Sequence, residues 1–240
     1  MSAFVRWLGH STVLIELGAA RFLTDPVLRR RVMHLRRSHA VEAPDSVDAV
    51  LVSHLHYDHL DLQSLAAVGN RGPIVVPRGG AKAVRGFENV VEVEPGTTVE
   101  IAGVPLRVVE AVHDGRRRNV GAPVDAVGYV LEGARTVYFA GDTDLFDGMN
   151  GLGPLDVALI PVWGWGPSVG EGHLDPERAA EALALLQPRV AIPIHWGTYS
   201  VLWSRGRAGR APADAFALAA VQTAPHVEVR VLPVGGGTEI

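Results

Sequence analysis

The sequence contains no cysteine, and Lys82 is the only lysine among 22 basic residues. The lack of cysteine excludes disulfides and every metal site with thiolate ligands. No apolar run approaches the roughly 18 residues that a membrane-spanning helix needs, so we expect no stable membrane insertion. The segment Met1–His10 lacks a basic stretch followed by an apolar one. We therefore expect no secretory signal and a cytoplasmic protein.

The charge balance and length are those of an ordinary globular protein. The chain has 240 residues, 48% of them hydrophobic and 20% charged, with a formal net charge of −4. The negative charge argues against binding to nucleic acid, whose phosphates require basic surfaces. No long linker interrupts the chain, because Arg116–Pro123 has the composition of a loop. We expect a single domain over residues 1–240.

Short apolar runs rich in valine and isoleucine, bounded by Gly, Pro and Asp, predict an α/β protein. The predicted strands are Phe4–Leu8, Thr12–Leu17, Ala20–Leu23, Ala49–Ser53, Ile74–Val76, Val90–Val93, Thr98–Ile101, Leu106–Ala111, Ala126–Leu131, Thr136–Phe139, Val157–Ile160, Val190–Ile194 and Val227–Leu232. The predicted helices are Leu60–Val68, Ala81–Phe87, Pro176–Leu186 and Ala213–Thr223. Two β-rich halves that carry helices indicate two packed sheets with helices outside.

Histidines are concentrated directly after one predicted strand. The segment VLVSHLHYDHL places His54, His56, Asp58 and His59 between the strand that ends at Ser53 and the next helix. Burying four ionisable groups there would be costly without a shared partner, and a divalent metal ion supplies one. The alternative is a polar, histidine-rich surface turn.

Three further residues each follow a predicted strand. They are His113, Asp142 and His195. Strand ends meet at one rim of a layered α/β fold, so these side chains can join the first cluster. Five histidines and two aspartates are enough for two ions that share one bridging carboxylate.

These residues and their surroundings resemble the metallo-β-lactamase superfamily. The segments RWLGHSTVLIELGAARFLTDPVL, SHLHYDHLD, AGDTDLF, GHLDPERAAEAL and PIHWGTY are similar to a branch with ascorbate-6-phosphate lactonase-like proteins and phospholipase D-type hydrolases of N-acyl phosphatidylethanolamine. The matching segments run from residue 6 to about residue 199. The resemblance implies an αβ/βα four-layer sandwich of two mixed β-sheets with outer helices.

The resemblance also implies a ligand set for two divalent ions, with zinc expected first and manganese or iron as alternatives. The first ion would be held by His54, His56 and His113, and the second by Asp58, His59 and His195, with Asp142 as the bridge. A hydroxide between the ions would attack the substrate, and Asp58 would orient it or accept its proton. Asp25 would fix a ligand imidazole; the alternative for Asp25 is a turn residue before Pro26.

Other residues are candidates for substrate contact. His173 would act as a general acid or touch the substrate, with a structural role near the start of the next helix as the alternative. His10 would lie at the rim, or be structural. The loop residues Arg116, Arg117 and Arg118 suit phosphate or carboxylate oxygens, although runs of charge are usually solvated. Trp163 and Trp165 would wall the pocket or pack in the core.

The favoured function is metal-dependent hydrolysis of a phosphodiester, lactone or ester bond in a small anionic substrate. The alternatives are a nuclease of the same fold, a di-iron redox protein and a metal-binding protein without catalysis. The sequence leaves a homo-oligomer open. The segment Leu28–Arg37 is the nearest candidate for a membrane-docking surface. It is short, so a loop packed near the site is favoured.

Overall fold

The computed structural model describes residues 3–115, 124–202 and 209–240, which form two large sheets, a small sheet and three α-helices. The strands are β1 (Ala3–Gly9), β2 (Thr12–Leu17), β3 (Ala20–Thr24), β4 (Arg31–Val32), β5 (Leu35–Arg37), β6 (Ala49–Leu51), β7 (Ile74–Pro77), β8 (Val90–Val93), β9 (Thr98–Ile101), β10 (Val104–Glu110), β11 (Val127–Glu132), β12 (Thr136–Phe139), β13 (Val157–Pro161), β14 (Val190–Ile194), β15 (Tyr199–Val201), β16 (Glu228–Val229) and β17 (Gly237–Glu239). The α-helices are α1 (Leu62–Ala67), α2 (Pro176–Leu186) and α3 (Ala211–Thr223). Short 3-10 helices lie at Gly80–Val84 and Asp147–Gly151.

Each large sheet has seven strands and mixes parallel with antiparallel pairs. The first sheet has the order β17-β1-β2-β3-β6-β7-β8, and the second has the order β16-β14-β13-β12-β11-β10-β9. A third sheet of three strands, β15-β5-β4, contains a hairpin at residues 31–37.

The alternation of side chains along β3 shows how the layers form. Phe22 faces a core shared by both large sheets and by α2 and α3. Its neighbour Leu23 faces a second core, which includes Leu65 of α1. Adjacent strand residues point to opposite faces, so one sheet can serve two cores. The result is the predicted four-layer sandwich with outer helices, which confirms the fold class.

Several elements differ from their predictions. The helix predicted at Ala81–Phe87 is only the 3-10 turn Gly80–Val84, because Gly79 and Gly86 lie at its ends with positive φ. The strand predicted at Val227–Leu232 shortens to β16. The strands β4, β5, β15 and β17 were not predicted, since each has only two or three residues. No helix within the described ranges is long and apolar enough to cross a membrane.

Strand direction brings the candidate ligands to one edge of the sandwich. In the first sheet β1, β3 and β6 run the same way, because β2 is antiparallel to both of its neighbours and β3 pairs parallel with β6. In the second sheet β10, β12, β13 and β14 also share a direction. The candidate residues follow the carboxyl ends of these strands, so they converge between the sheets.

Helix α2 begins beside the candidate site, and its first turn depends on one side chain. The Asp175 carboxylate accepts a hydrogen bond from the Arg178 backbone N–H at 2.8 Å, and Pro176 occupies the first helical position. This cap satisfies one of the unpaired N–H groups at the helix start.

We expect Asp175→Ala to lower the free energy of unfolding by about 1 kcal/mol, as for other N-cap losses. Asp175→Ser should retain most of the stability, because the hydroxyl also accepts from the backbone. Chemical denaturation at fixed metal concentration measures both. Equal losses for alanine and serine would contradict a capping role.

Candidate metal centre

The loop after β6 is shaped by residues that alternate between core and site. Leu55 and Leu60 are fully buried in the outer core. The backbone N–H groups of His59 and Leu60 both donate to the carbonyl oxygen of His56, at 3.0 and 2.8 Å, and close a tight turn. The buried leucines therefore fix the loop, and its polar residues point towards the second sheet.

Three imidazoles form the first group of candidate ligands. His54 Nε2 lies 3.0 Å from His56 Nδ1, which lies 3.2 Å from His113 Nε2. One nitrogen of each ring falls within 4.8 Å of the others, so a single ion fits among them. His54 is fully buried, while His56 and His113 are half-buried.

A second group lies beside the first. His59 Nε2 lies 3.1 Å from His195 Nε2 and 3.9 Å from Asp58 Oδ2. His195 Nε2 is also 3.9 Å from Asp58 Oδ2. The ligand atoms of these three residues and of His10 lie within 4.8 Å of one another.

The Asp142 carboxylate contacts the second group and is 2% exposed. Its Oδ2 lies 3.1 Å from His59 Nε2, and its Oδ1 lies 3.2 Å from His195 Nε2. Oδ1 accepts no hydrogen bond from the described residues although it is buried. A buried carboxylate oxygen without a donor is costly, and a cation would satisfy it. Imidazole and carboxylate ligands at these positions therefore fit divalent metal ions.

Most of the candidate histidines use Nδ1 for an outer partner and turn Nε2 into the site. His59 Nδ1 lies 2.7 Å from Asp25 Oδ2, and His113 Nδ1 lies 2.9 Å from the Gly172 carbonyl oxygen. His195 Nδ1 lies 2.6 Å from the Trp163 carbonyl oxygen. Such outer partners fix the tautomer and orientation of metal-ligating histidines.

Asp25 is itself held in place. Its Oδ1 accepts from the Ser53 backbone N–H at 2.7 Å, and its Oδ2 accepts from the Ser53 hydroxyl at 2.6 Å. Asp25 is fully buried and contacts His59 directly, and the Ser53 hydroxyl that it accepts from lies 3.0 Å from His54 Nδ1, a geometry that fits the expected role of fixing a ligand imidazole.

The chain bends sharply at three of these residues. His10, Asp25 and His195 have φ values of 55°, 36° and 64°, in the left-handed region that non-glycine residues rarely adopt. Gly172 also has positive φ, and a Cβ there would lie 3.2 Å from His113 Nδ1. Strained backbone at such positions is typical of functional sites.

The pKa values of the histidines differ with their partners. Burial lowers the pKa of His195 to about 3 and holds the pKa of His54 well below its usual value. Burial also opposes charge on His59, but Asp142 and Asp25 outweigh it and raise the pKa of His59 well above 6.5. His54 and His195 are therefore neutral at pH 7, while His59 carries a proton in the metal-free chain.

The candidate substrate residues take different places. The His173 ring is 27% exposed, with Nε2 3.4 Å from Asp142 Oδ2. The indole of Trp163 donates to the Gly166 carbonyl oxygen and packs against the core. Trp165 is 36% exposed, and its Nε1 donates to Asp58 Oδ2 at 2.9 Å. The triple-arginine segment Arg116, Arg117 and Arg118 lies outside the described residues.

His10 lies inside the cluster and not at its rim. It is 1% exposed, its Nε2 is 3.0 Å from Asp58 Oδ2, and its ring lies 3.8 Å from that of His195. The expected contact with substrate does not fit this burial. Sequence reasoning missed its place beside Asp58, although the signal that found the candidate ligands, a polar residue directly after a strand, is also present here.

Comparisons with known proteins agree with this geometry. Residues 20–196 match the model of the beta-lactamase superfamily domain. The chain is 36% identical over 214 residues to a UPF0173 metal-dependent hydrolase of Methanopyrus kandleri, covering 81% of this chain and 84% of that protein. It is 31% identical over 228 residues to N-acyl-phosphatidylethanolamine-hydrolyzing phospholipase D 1 of Caenorhabditis elegans, covering 82% of this chain and 64% of that protein.

Among solved structures, Igni18, a metallo hydrolase of Ignicoccus hospitalis, superposes with a TM-score of 0.75 at 22% identity, covering 100% of this chain and 99% of that one. This likeness concerns the fold. The chain spans 59% of the length of matching proteins from Mycobacterium tuberculosis and Mycobacterium bovis. The chain belongs to the beta-lactamase superfamily, in a branch with proteins named metal-dependent hydrolases.

We expect metal binding at neutral pH to release a proton from His59, because its raised pKa keeps Nε2 protonated until an ion displaces that proton. Calorimetric titration of the metal-free protein in buffers of different ionisation enthalpy measures the release. Asp25→Asn should reduce it by removing one of the two charges that hold the proton, the other being that of Asp142. No release from the wild type would show that His59 is neutral before binding, and equal release from both proteins would show that Asp25 is not needed to hold the proton.

Proposed function

We propose that the chain is a metal-dependent hydrolase that works with two divalent ions, zinc first and manganese or iron as alternatives. One observation carries the proposal: two groups of candidate ligand atoms lie side by side, next to a buried carboxylate oxygen that has no donor in the part of the chain that the structure describes. Seven ligands are more than one tetrahedral ion can use. In this assignment Asp142 would be the ligand that the two ions share.

Two of the groups of candidate ligand atoms support this assignment. The first ion would be held by His54, His56 and His113, and the second by Asp58, His59 and His195. When bound, such ions lower the pKa of water to about 7 and stabilise negative charge on the attacked group.

Asp58 is positioned to handle the proton of the attacking water. Its Oδ2 accepts from Trp165 Nε1 at 2.9 Å and lies 3.0 Å from His10 Nε2. These contacts fix the carboxylate at the opening of the site, where it is 15% exposed. Held there, it orients the water and accepts its proton.

His173 is the candidate donor to the leaving group. It borders the site beside Asp142 and keeps a partly exposed ring. Burial lowers its pKa, but the hydrogen bond and charge of Asp142 outweigh this and raise the pKa above 6.5. A histidine that holds its proton near neutral pH suits general acid catalysis.

The substrate class remains that of a small anionic molecule with a phosphodiester, lactone or ester bond. The named activity of the Caenorhabditis elegans relative, hydrolysis of an N-acyl phosphatidylethanolamine, supports a phosphodiester. The net charge of −4 disfavours a nuclease. A panel of phosphodiesters, phosphomonoesters, lactones and thioesters, tested with zinc- and manganese-loaded protein, identifies the bond. Reversible redox activity with bound iron, together with no hydrolysis of any of these compounds, would instead favour a di-iron redox protein.

We expect fully loaded protein to contain two ions per chain, measured by elemental analysis. Asp142→Ala should lower affinity at both positions and remove activity, because it deletes the shared ligand. Asp25→Ala should reduce activity by about 10–100-fold, because it acts through the orientation of a ligand imidazole. Asp144→Ala is the matched control, since that carboxylate pairs with Arg178. A stable single ion under metal excess would contradict the two-ion assignment.

We expect His173→Gln to keep two ions per chain and to lower kcat by about 10²–10⁴-fold for substrates with poor leaving groups. The loss should shrink for a p-nitrophenyl leaving group, which needs no proton. Steady-state kinetics on the two substrate types test this. Loss of an ion in the variant would make His173 a ligand instead of an acid.

A further inference from the structure

The hairpin of β4 and β5 is a fixed element beside the metal centre. Its base is held by Arg37, which is 5% exposed. The Arg37 guanidinium donates to the carbonyl oxygens of Leu8, Val27 and His39, and to the Tyr199 hydroxyl. A small apolar cluster beneath it contains Val27, Val32, Leu35 and Tyr199. The hairpin therefore holds its outward side chains on a rigid base.

Those outward side chains are mostly arginines. An open depression of about 660 Å³ is lined by Arg29, Arg30, Arg31 and Arg36. Arg29 is neutralised by both oxygens of Asp61, at 2.8 and 2.6 Å. The ion pairs found among the described residues do not include Arg30, Arg31 or Arg36, and all three are exposed.

This concentration of positive charge contrasts with the net charge of the chain. The protein as a whole is negative, with 26 acidic residues against 22 basic ones. Guanidinium groups held around one depression repel each other, and a bound anion would offset that repulsion. Each guanidinium group can donate two hydrogen bonds to two oxygens of a phosphate. Several guanidinium groups together therefore suit a phosphate group better than a single carboxylate.

Two sets of contacts link the arginine hairpin to the Asp58 side of the metal centre. The hairpin turn carries His34, whose ring meets Trp165 edge-to-face at 5.0 Å between centroids. Trp165 in turn donates to Asp58. Asp61, which binds Arg29, follows Asp58 by three residues in the same loop. The depression is lined by none of the candidate ligands, so a phosphate bound there would lie outside the metal centre, on the side of Asp58.

We propose that Arg29, Arg30, Arg31 and Arg36 form a phosphate-binding site. Its phosphate belongs to the substrate and lies apart from the bond that is hydrolysed. That the phosphate belongs to the substrate rests on the proposed function, whereas phosphate binding by the arginines does not. The site assigns the substrate to the phosphate-bearing compounds, whether a soluble phosphate ester or a lipid headgroup.

The binding test uses metal-loaded protein and inorganic phosphate in calorimetric titrations. Arg31→Gln/Arg36→Gln should weaken the arginine-dependent binding by about 10–150-fold, the range for lost charge-assisted contacts. The lysine pair Arg31→Lys/Arg36→Lys should recover part of it, because charge returns without the fork. Arg71→Gln/Arg85→Gln is the control, since these exposed arginines do not line the depression. Phosphate held by the metal ions is common to all four proteins, so it cancels in the comparison.

Equal phosphate affinity in the wild type and in the double variant Arg31→Gln/Arg36→Gln, called the glutamine pair, would contradict a phosphate site at these arginines. Flotation with phosphatidylcholine vesicles, with and without phosphatidylglycerol, identifies the source. Arginine-dependent flotation indicates a lipid headgroup, and phosphate binding without flotation indicates a soluble ester. The claim that the phosphate belongs to the substrate is tested by kcat/KM on two matched substrates, one with the additional phosphate and one without it. If the glutamine pair binds less phosphate but keeps the same selectivity, the site stands and its role in substrate recognition is wrong.

Discussion

The central constraint is the burial of the Asp142 carboxylate among imidazoles. One of its oxygens has no hydrogen-bond donor, and the histidines around it are nearly all enclosed. If every ring were protonated, several like charges would lie within a few ångströms of one another. If every ring were neutral, the buried carboxylates would have no positive partner. Divalent cations resolve this conflict, because they satisfy carboxylate and neutral imidazole together. The surrounding fold can be understood as the support that this arrangement needs.

That support extends outward in a consistent way. The Nδ1 atoms of His59, His113 and His195 are held by a carboxylate or a backbone carbonyl, so their Nε2 atoms must face inward. The partners come from different elements: Asp25 follows β3, Gly172 precedes α2, and Trp163 follows β13. Folding of both sheets is therefore needed before the ligand atoms face one another, and the centre reports on the integrity of the whole sandwich.

Much of this could be predicted from sequence, because the relevant rule is local. A polar residue directly after a buried strand marks the edge of a sheet, and that rule found His113, Asp142 and His195. The four layers followed from the strand pattern. The hairpin at residues 31–37 could not be predicted, because its pairing with β15 joins distant parts of the chain. An arginine-rich segment also predicts solvent-exposed side chains, so nothing in the sequence indicates that Arg37 is buried. The contacts of Asp58 with His10 and Trp165 are equally non-local.

The left-handed backbone at His10, Asp25 and His195 has a consequence for how such a protein can change. Each of these residues turns the chain immediately after its strand, so its side chain is placed by the sheet and owes nothing to the loop that follows. Loop length and sequence beyond each turn can vary without displacing these three side chains. At these positions the scaffold separates two requirements. The placement of the side chain is inherited with the sheet, and the loop beyond it is free to diverge.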